Sequence, residues 1–203
     1  MRLLVMILSL GLFALPVYAG TIGEEVAKLG LTDEQLFKMG EAIYNTEGAN
    51  TCLKCHGPGG HGGDQAGAAD LRHPKTWRVY QFLGGDEAFA ANKEEFLKNM
   101  DTVIHELISG GATAWNLKFP RTHKEITMDW SKVSIPDKAD KYNSMMKGLT
   151  SGPMKDAVKT HLADLEKDGK KLKTSELQDV AAVADFHYVK SFDDGSDKGG
   201  VFK

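Results

Sequence analysis

Cys52, Cys55 and His56 stand together in Cys52-Leu53-Lys54-Cys55-His56, and these are the only two cysteines among 203 residues. C-x-x-C-H is the spacing of covalent haem attachment. Two thiols add across the two vinyl groups of a haem to give two thioether bonds. The two residues between them let the chain turn so that both sulfurs reach one porphyrin edge. The adjacent histidine then lies beneath the iron and offers an imidazole nitrogen as proximal ligand. A second C-x-x-C-H is absent, so the pattern predicts one covalent haem c.

Three other uses of the cysteines compete. Two cysteines in an exported chain can form a disulfide. A redox-active C-x-x-C sits at a strand-to-helix turn in a βαβ setting, and no alternating strand pattern precedes Cys52. A zinc site needs two further ligands at matching spacing, and no second cysteine pair exists. The histidine directly after Cys55 favours haem over all three.

The chain's start agrees with export. Arg2 precedes the uncharged run Leu3 to Pro16, and Val17-Tyr18-Ala19 places small residues where a signal peptidase reads, with cleavage before Gly20. Residues 1–19 are expected to be a signal peptide, leaving 20–203 as a single domain in the periplasm or otherwise exported. The apolar run is shorter than the roughly 20 residues that span a bilayer. No later stretch is long enough to do so, so stable membrane insertion after cleavage is not expected. The formal net charge of −3 gives no basic face for nucleic acid.

The motif needs helices to position it. Residues 33–44 read as an amphipathic helix with Leu36, Phe37, Gly40, Ile43 and Tyr44 on one face. Thr32 and Gln35 form its capping box. Gly40 in mid-helix costs about 1 kcal/mol against alanine, which predicts the close approach of another helix. Residues 57–63, Gly-Pro-Gly-Gly-His-Gly-Gly, read as loop. Residues 94–109 carry an apolar stripe of Phe96, Met100, Val103, Ile104, Leu107 and Ile108, expected to end at Gly110-Gly111. Residues 77–83 read as a short helix or loop and 112–137 as irregular. Residues 141–149 and 156–165 read as further helices, and 167–173 as a connection.

Three segments carry a family resemblance: Gly-Glu-Ala-Ile-Tyr at 40–44, Cys-Leu-Lys-Cys-His-Gly-Pro-Gly-Gly-His-Gly at 52–62, and Leu-Gln-Asp-Val-Ala-Ala-Val-Ala-Asp-Phe-His-Tyr-Val at 177–189. Together they resemble the class I c-type cytochromes, the monohaem cytochrome c family. The resemblance covers residues 32–73 and 174–192 well and the middle loosely. It implies an all-α fold, with cytochrome c-like helices wrapped around one covalently bound haem and an enlarged middle region over about 75–170. It also implies that the first and last helices cross, with Gly40 and Tyr44 meeting Leu177, Val180, Ala181, Ala184 and Tyr188. The family often has a proline beyond the haem histidine whose carbonyl holds the imidazole. Here that stretch is Ala68-Ala69-Asp70-Leu71, with Pro74 three residues later, so the carbonyl partner of His56 stays open. Leu71 matches an apolar haem contact.

The distal side of the iron takes Met or His in six-coordinate c haems. Met154, in Gly148-Leu149-Thr150-Ser151-Gly152-Pro153-Met154, resembles the family's glycine-rich run into its ligand methionine, although Lys155 rather than proline follows. Met128, beside Trp130, and His123, in a loop, are the alternatives. Met39, Met100, Met145 and Met146 read as packing residues. His61 is too near His56 to cross the haem. His73, His105, His161 and His187 read as surface or partly buried groups. Trp77, Trp115 and Trp130 read as packing residues, an indole N–H on a haem propionate being the alternative use. Arg72, Arg78 and Arg121 read as surface residues that could instead pair with propionates.

The resulting expectation is a soluble electron carrier, not an enzyme, passing electrons between donor and acceptor redox proteins. Two alternatives stand beside it. One is a haem subunit of a dedicated periplasmic oxidoreductase. The other is an open-iron haem enzyme or gas sensor.

Overall fold

The computed structural model describes residues 21–47, 51–62, 68–116 and 174–203, and all regular structure among them is helical. In chain order the helices are α1 (Ile22–Ala27), α2 (Asp33–Tyr44), α3 (Cys52–His56), α4 (Arg78–Phe82), α5 (Gly85–Ala91), α6 (Lys93–Asn116) and α7 (Thr174–Val189). Single 3₁₀ turns follow α3, precede α4 and follow α7.

α2 begins and ends where the sequence pattern puts it. The Thr32 hydroxyl accepts from Gln35 N at 3.2 Å and the Gln35 side chain accepts from Thr32 N at 2.9 Å. These two bonds satisfy orphan donors of the first turn. α1, which the pattern did not single out, repeats the device with Thr21 and Glu24.

α2 and α7 cross in direct backbone contact. A Cβ on Gly40 would overlap the Ala184 carbonyl oxygen and lie 2.7 Å from Tyr188 Cβ. Only glycine fits there, which explains why the helix accepts its poor propensity. Aromatic edges finish the crossing: Phe37 meets Tyr188 at 5.2 Å and Tyr44 meets it at 5.7 Å.

Around that crossing the core has two parts, with α7 in both. In the first, Ile22 and Val26 of α1 and Met39 and Ile43 of α2 pack on Val180, Ala181, Val183 and Ala184. In the second, Tyr44, Cys52, Trp77, Tyr80, Phe96, Met100, Val103 and Leu107 pack with Phe186 and Val189. Met39 and Met100 are fully buried packing residues, as the pattern expected. α7 is apolar on nearly all sides, the mark of a helix with neighbours all round.

α6 extends past its expected end. Its backbone stays helical through Gly110-Gly111 to Asn116, so residues 112–116 are not irregular. Each glycine costs about 1 kcal/mol, but Ala112 and Ala114 behind them are strong helix formers. At the other end, Asn92 Oδ1 accepts from Glu95 N at 3.1 Å and separates α5 from α6. The expected helices at 141–149 and 156–165 and the connection at 167–173 lie outside the described residues.

The chain after α7 is tied down by one carboxylate. Asp193, fully buried, accepts from the backbone N–H groups of Gly195 (2.9 Å), Gly200 (2.6 Å), Val201 (2.8 Å) and Phe202 (2.9 Å). Burial alone would raise its pKa, but the four donors outweigh that and hold it below the ordinary carboxylate value. The turn delivers Phe202 against Trp77 at 6.0 Å and Phe186 at 5.8 Å.

Candidate functional site

The C-x-x-C-H residues form α3. Thr51 caps it, its hydroxyl accepting from Lys54 N at 3.3 Å. Gly57 ends it at φ 73°, with its N–H on Leu53 O at 2.8 Å. Cys52 and Cys55, at i and i+3, share a helix face, and both thiols are free. Cys52 is buried and Cys55 half-buried. Burial, reinforced by the nearby Asp185 carboxylate, pushes the Cys52 thiol well above its usual pKa. A dithiol oxidoreductase needs the opposite, a thiolate at neutral pH. Among the described residues no three His, Cys, Asp or Glu side chains gather as a metal-binding group.

His56 is held by the main chain. Its Nδ1 lies 2.9 Å from the Ala69 carbonyl oxygen. A carbonyl only accepts, so this bond puts the proton on Nδ1 and leaves the Nε2 lone pair for a ligand. Burial lowers the pKa of the ring despite that carbonyl, which favours the neutral imidazole a metal requires. The partner that the sequence left open is therefore Ala69, without a proline at that position. Its signal is invisible in side chains because the acceptor is a backbone oxygen.

Several bonds fix this carbonyl in place. Leu71 N donates to Gly60 O at 2.6 Å, and Gly62 N donates to His56 O at 2.8 Å. The Trp77 indole N–H donates to Asp70 O at 2.8 Å. Trp77 is thus a buried packing residue whose N–H is spent on the loop that holds His56. Arg72 grips the Asp70 carboxylate through Nε at 3.0 Å and a terminal nitrogen at 2.7 Å. That bond, more than any other, holds the Asp70 carboxyl below its usual value. His73 joins Asp70 to Asp194 of the final turn, at 3.2 Å on each side.

From the other side, the Tyr44 hydroxyl donates to Gly57 O at 2.7 Å, linking the Gly40 helix to the turn after His56. Gly60 has φ 73°, and a Cβ there would lie 2.5 Å from the Phe192 ring and 2.9 Å from Leu71 Cβ. The glycine-rich loop is thereby pressed between Leu71 and Phe192 of the 3₁₀ turn that follows α7. Leu71 is half-buried beside the cluster that contains Cys52.

One site residue was missed by sequence reading. Asp185 of α7 is buried, and Cys52 Sγ lies 3.7 Å from its Oδ1. The available signal was a charge inside the otherwise apolar run Val180 to Phe186. Among the remaining histidines, His105 is buried against Phe186, neither at the surface nor partly buried as expected. Met154, Met128, His123, His161, Met145, Met146, Arg121 and Trp130 lie outside the described residues.

The donor set suits a covalently attached haem. It has two free thiols on one helix face, a neutral imidazole with its outer nitrogen available, and a braced carbonyl behind it. Comparison with protein-family models, curated proteins and solved structures returned no match for this chain.

Proposed function

We propose that the protein is an exported monohaem c-type cytochrome that carries electrons between a donor and an acceptor redox protein. The observation that carries this reading is the His56 Nδ1 to Ala69 O hydrogen bond within a C-x-x-C-H helix. It is the second-sphere contact that orients a metal-bound imidazole and raises its basicity. The Gly40 crossing supports the same reading, because it joins the two segments that carry the family resemblance.

In this reading Cys52 and Cys55 would hold the porphyrin through thioether bonds, and His56 Nε2 would be a ligand to its iron. Bound haem c supplies a reversible one-electron Fe(III)/Fe(II) couple. Ala69, Tyr44 and Trp77 keep the imidazole and its loop in one geometry, so the ligand set need not rearrange between oxidation states. Met154 would supply the second iron ligand, with Met128 and His123 as the alternatives.

The test is expression in a bacterium that matures c-type cytochromes, followed by denaturing electrophoresis with haem staining. Wild type retains haem and Cys52→Ala/Cys55→Ala does not. A colourless wild-type band refutes the proposal. The oxidised protein should then show the near-infrared sulfur-to-iron charge-transfer band, and Met154→Ala should remove it. Retention of the band in that variant assigns the distal ligand elsewhere. Carbon monoxide should bind the reduced wild-type protein weakly or not at all, and tight binding would move the reading to an open-iron protein.

A further inference from the structure

The buried aspartates of this fold are treated differently. Asp193 accepts from four backbone N–H groups. Asp179 accepts from the Ser109 hydroxyl at 2.7 Å. Asp185, also buried, has Cys52 Sγ at 3.7 Å as its hydrogen-bond partner among the described residues. That sulfur can donate only while it is a thiol. Once it is bonded to a porphyrin carbon it keeps no hydrogen, and a thioether is at most a weak acceptor. Among the described residues the carboxylate then has no hydrogen-bond donor left, and an unpaired buried charge is costly. Binding a proton is the way open to it.

We propose that Asp185 is a proton-binding site coupled to the haem, taking up a proton when an electron arrives and releasing it when the electron leaves. This rests on the cytochrome reading above. The step is balanced. A reduced partner protein gives up one electron, water supplies one proton, and the Asp185 carboxylate becomes a carboxylic acid. Oxidation by the acceptor reverses both.

The surroundings fit this role. From α3, Cys52 faces Asp185, with Cys55 acting on Cys52 in turn. From α2, Tyr44 is the ionisable neighbour, and its hydroxyl is engaged by Gly57 O. Tyr188 lies on α7 itself, beyond Phe186 and His187. No lysine, arginine or histidine among the described residues acts on the carboxyl. Burial holds it up at about 7 even in the free protein, where the Cys52 thiol still pulls it down. Vinyl and propionate groups occupy opposite edges of haem, so a proton beside a thioether is distinct from one on a propionate.

A unit change of charge within about 10 Å, at an effective permittivity of about 20, changes proton affinity on the order of tenfold. The reduced protein should therefore bind this proton about tenfold more tightly than the oxidised protein. The midpoint potential should fall with rising pH by about 59 mV in total across the window between the two affinities. Spectroelectrochemical titration from about pH 5 to about pH 9 reads this directly. Asp185→Asn, which keeps shape and removes the titration, should flatten the curve, and Asp185→Glu should retain a slope. Redox-difference infrared spectra of the wild type should gain a carboxylic-acid C=O band on reduction, lost in Asp185→Asn. A pH-independent potential in haem-loaded wild type, a slope unchanged in Asp185→Asn, or no carboxylic-acid band would each overturn the proposal. Absence of covalent haem on the stained gel would instead sink the cytochrome reading and this one with it.

Discussion

Replacing Gly40 with alanine tests the crossing that holds the site together. On an isolated helix the change should stabilise by about 1 kcal/mol, because alanine is the better helix former. In this fold the new methyl meets the Ala184 carbonyl oxygen and lies 2.7 Å from Tyr188 Cβ. Neither atom is the end of a flexible side chain, so neither can swing away. α2 and α7 must part by on the order of 1 Å, and a gap of that size forfeits a quarter to a half of each contact's dispersion energy. The contacts at stake include fully buried Met39, Ile43, Val180 and Ala181. Overpacking of this kind costs roughly 1–3 kcal/mol, and more where backbone must move. Taking the upper end of that cost, about 3 kcal/mol, because backbone must move, and subtracting the propensity gain of about 1 kcal/mol, we expect a net loss of about 2 kcal/mol and a fall in Tm on the order of 4–8 °C. Urea unfolding followed by far-ultraviolet circular dichroism, at one protein concentration and one haem loading, measures it. A Gly40→Ala protein as stable as wild type, or more so, would refute the close contact and the crossing geometry with it.

Removing the carboxylate of Asp193 by Asp193→Ala leaves four backbone donors without their acceptor, and we expect a loss of about 3 kcal/mol. Amide exchange should then speed up at Gly200, Val201 and Phe202 before it does in α2, and uniform protection across the tail would contradict this. His105 predicts a pH dependence. Burial, with the charges of Lys190 and His187, lowers its pKa from 6.5 to about 3. The unfolded chain therefore binds a proton that the folded one refuses, so this term costs nothing above about pH 6.5 and destabilises progressively as pH falls toward 3. The slope approaches about 1.4 kcal/mol per pH unit in that window. The raised Asp185 pKa acts in the opposite direction, so the measured quantity is the difference between wild type and His105→Gln. The stability of wild type should fall faster between about pH 6 and about pH 4, and parallel curves would contradict the assignment.

The parts of this fold legible in the sequence are those in which a side chain carries its own reason. Thr32 and Gln35 announce the start of α2, because a hydroxyl and an amide three residues apart can satisfy two orphan donors. Gly40 announces a crossing, because nothing else explains a glycine between Met39 and Glu41. Cys52, Cys55 and His56 announce one site by their spacing, and they share one short helix. The illegible parts are relations. Ala69 supplies a main-chain oxygen that any residue could offer, so no residue type marks the partner of His56. Gly110-Gly111 looks like a helix end, but the alanines beyond them carry α6 onward. Asp185 reads as one more charge on a helix, and only the packing of α3 beside α7 shows it to be buried at a sulfur. Asp193 carries no mark of its role in the sequence, because only the returning backbone of 195–202 makes it the tail's anchor.

Asn45 Nδ2 reaches the Tyr188 hydroxyl at 3.4 Å across 143 residues of chain. Other contacts between α2 and α7 span similar lengths of chain, 144 residues from Gly40 to Ala184 and 151 from Phe37 to Tyr188. Closing a loop costs entropy that grows only as the logarithm of its length, and each doubling adds about 0.6 kcal/mol. The entropic charge for joining these two helices is therefore already close to its plateau. Residues could be added to or taken from the middle of the chain with little effect on the equilibrium that holds α2, α3 and α7 together. The effect would fall on kinetics, because contacts so distant in sequence form late and slowly. A long segment between these helices is thus thermodynamically inexpensive for this arrangement, and its cost falls on the folding rate.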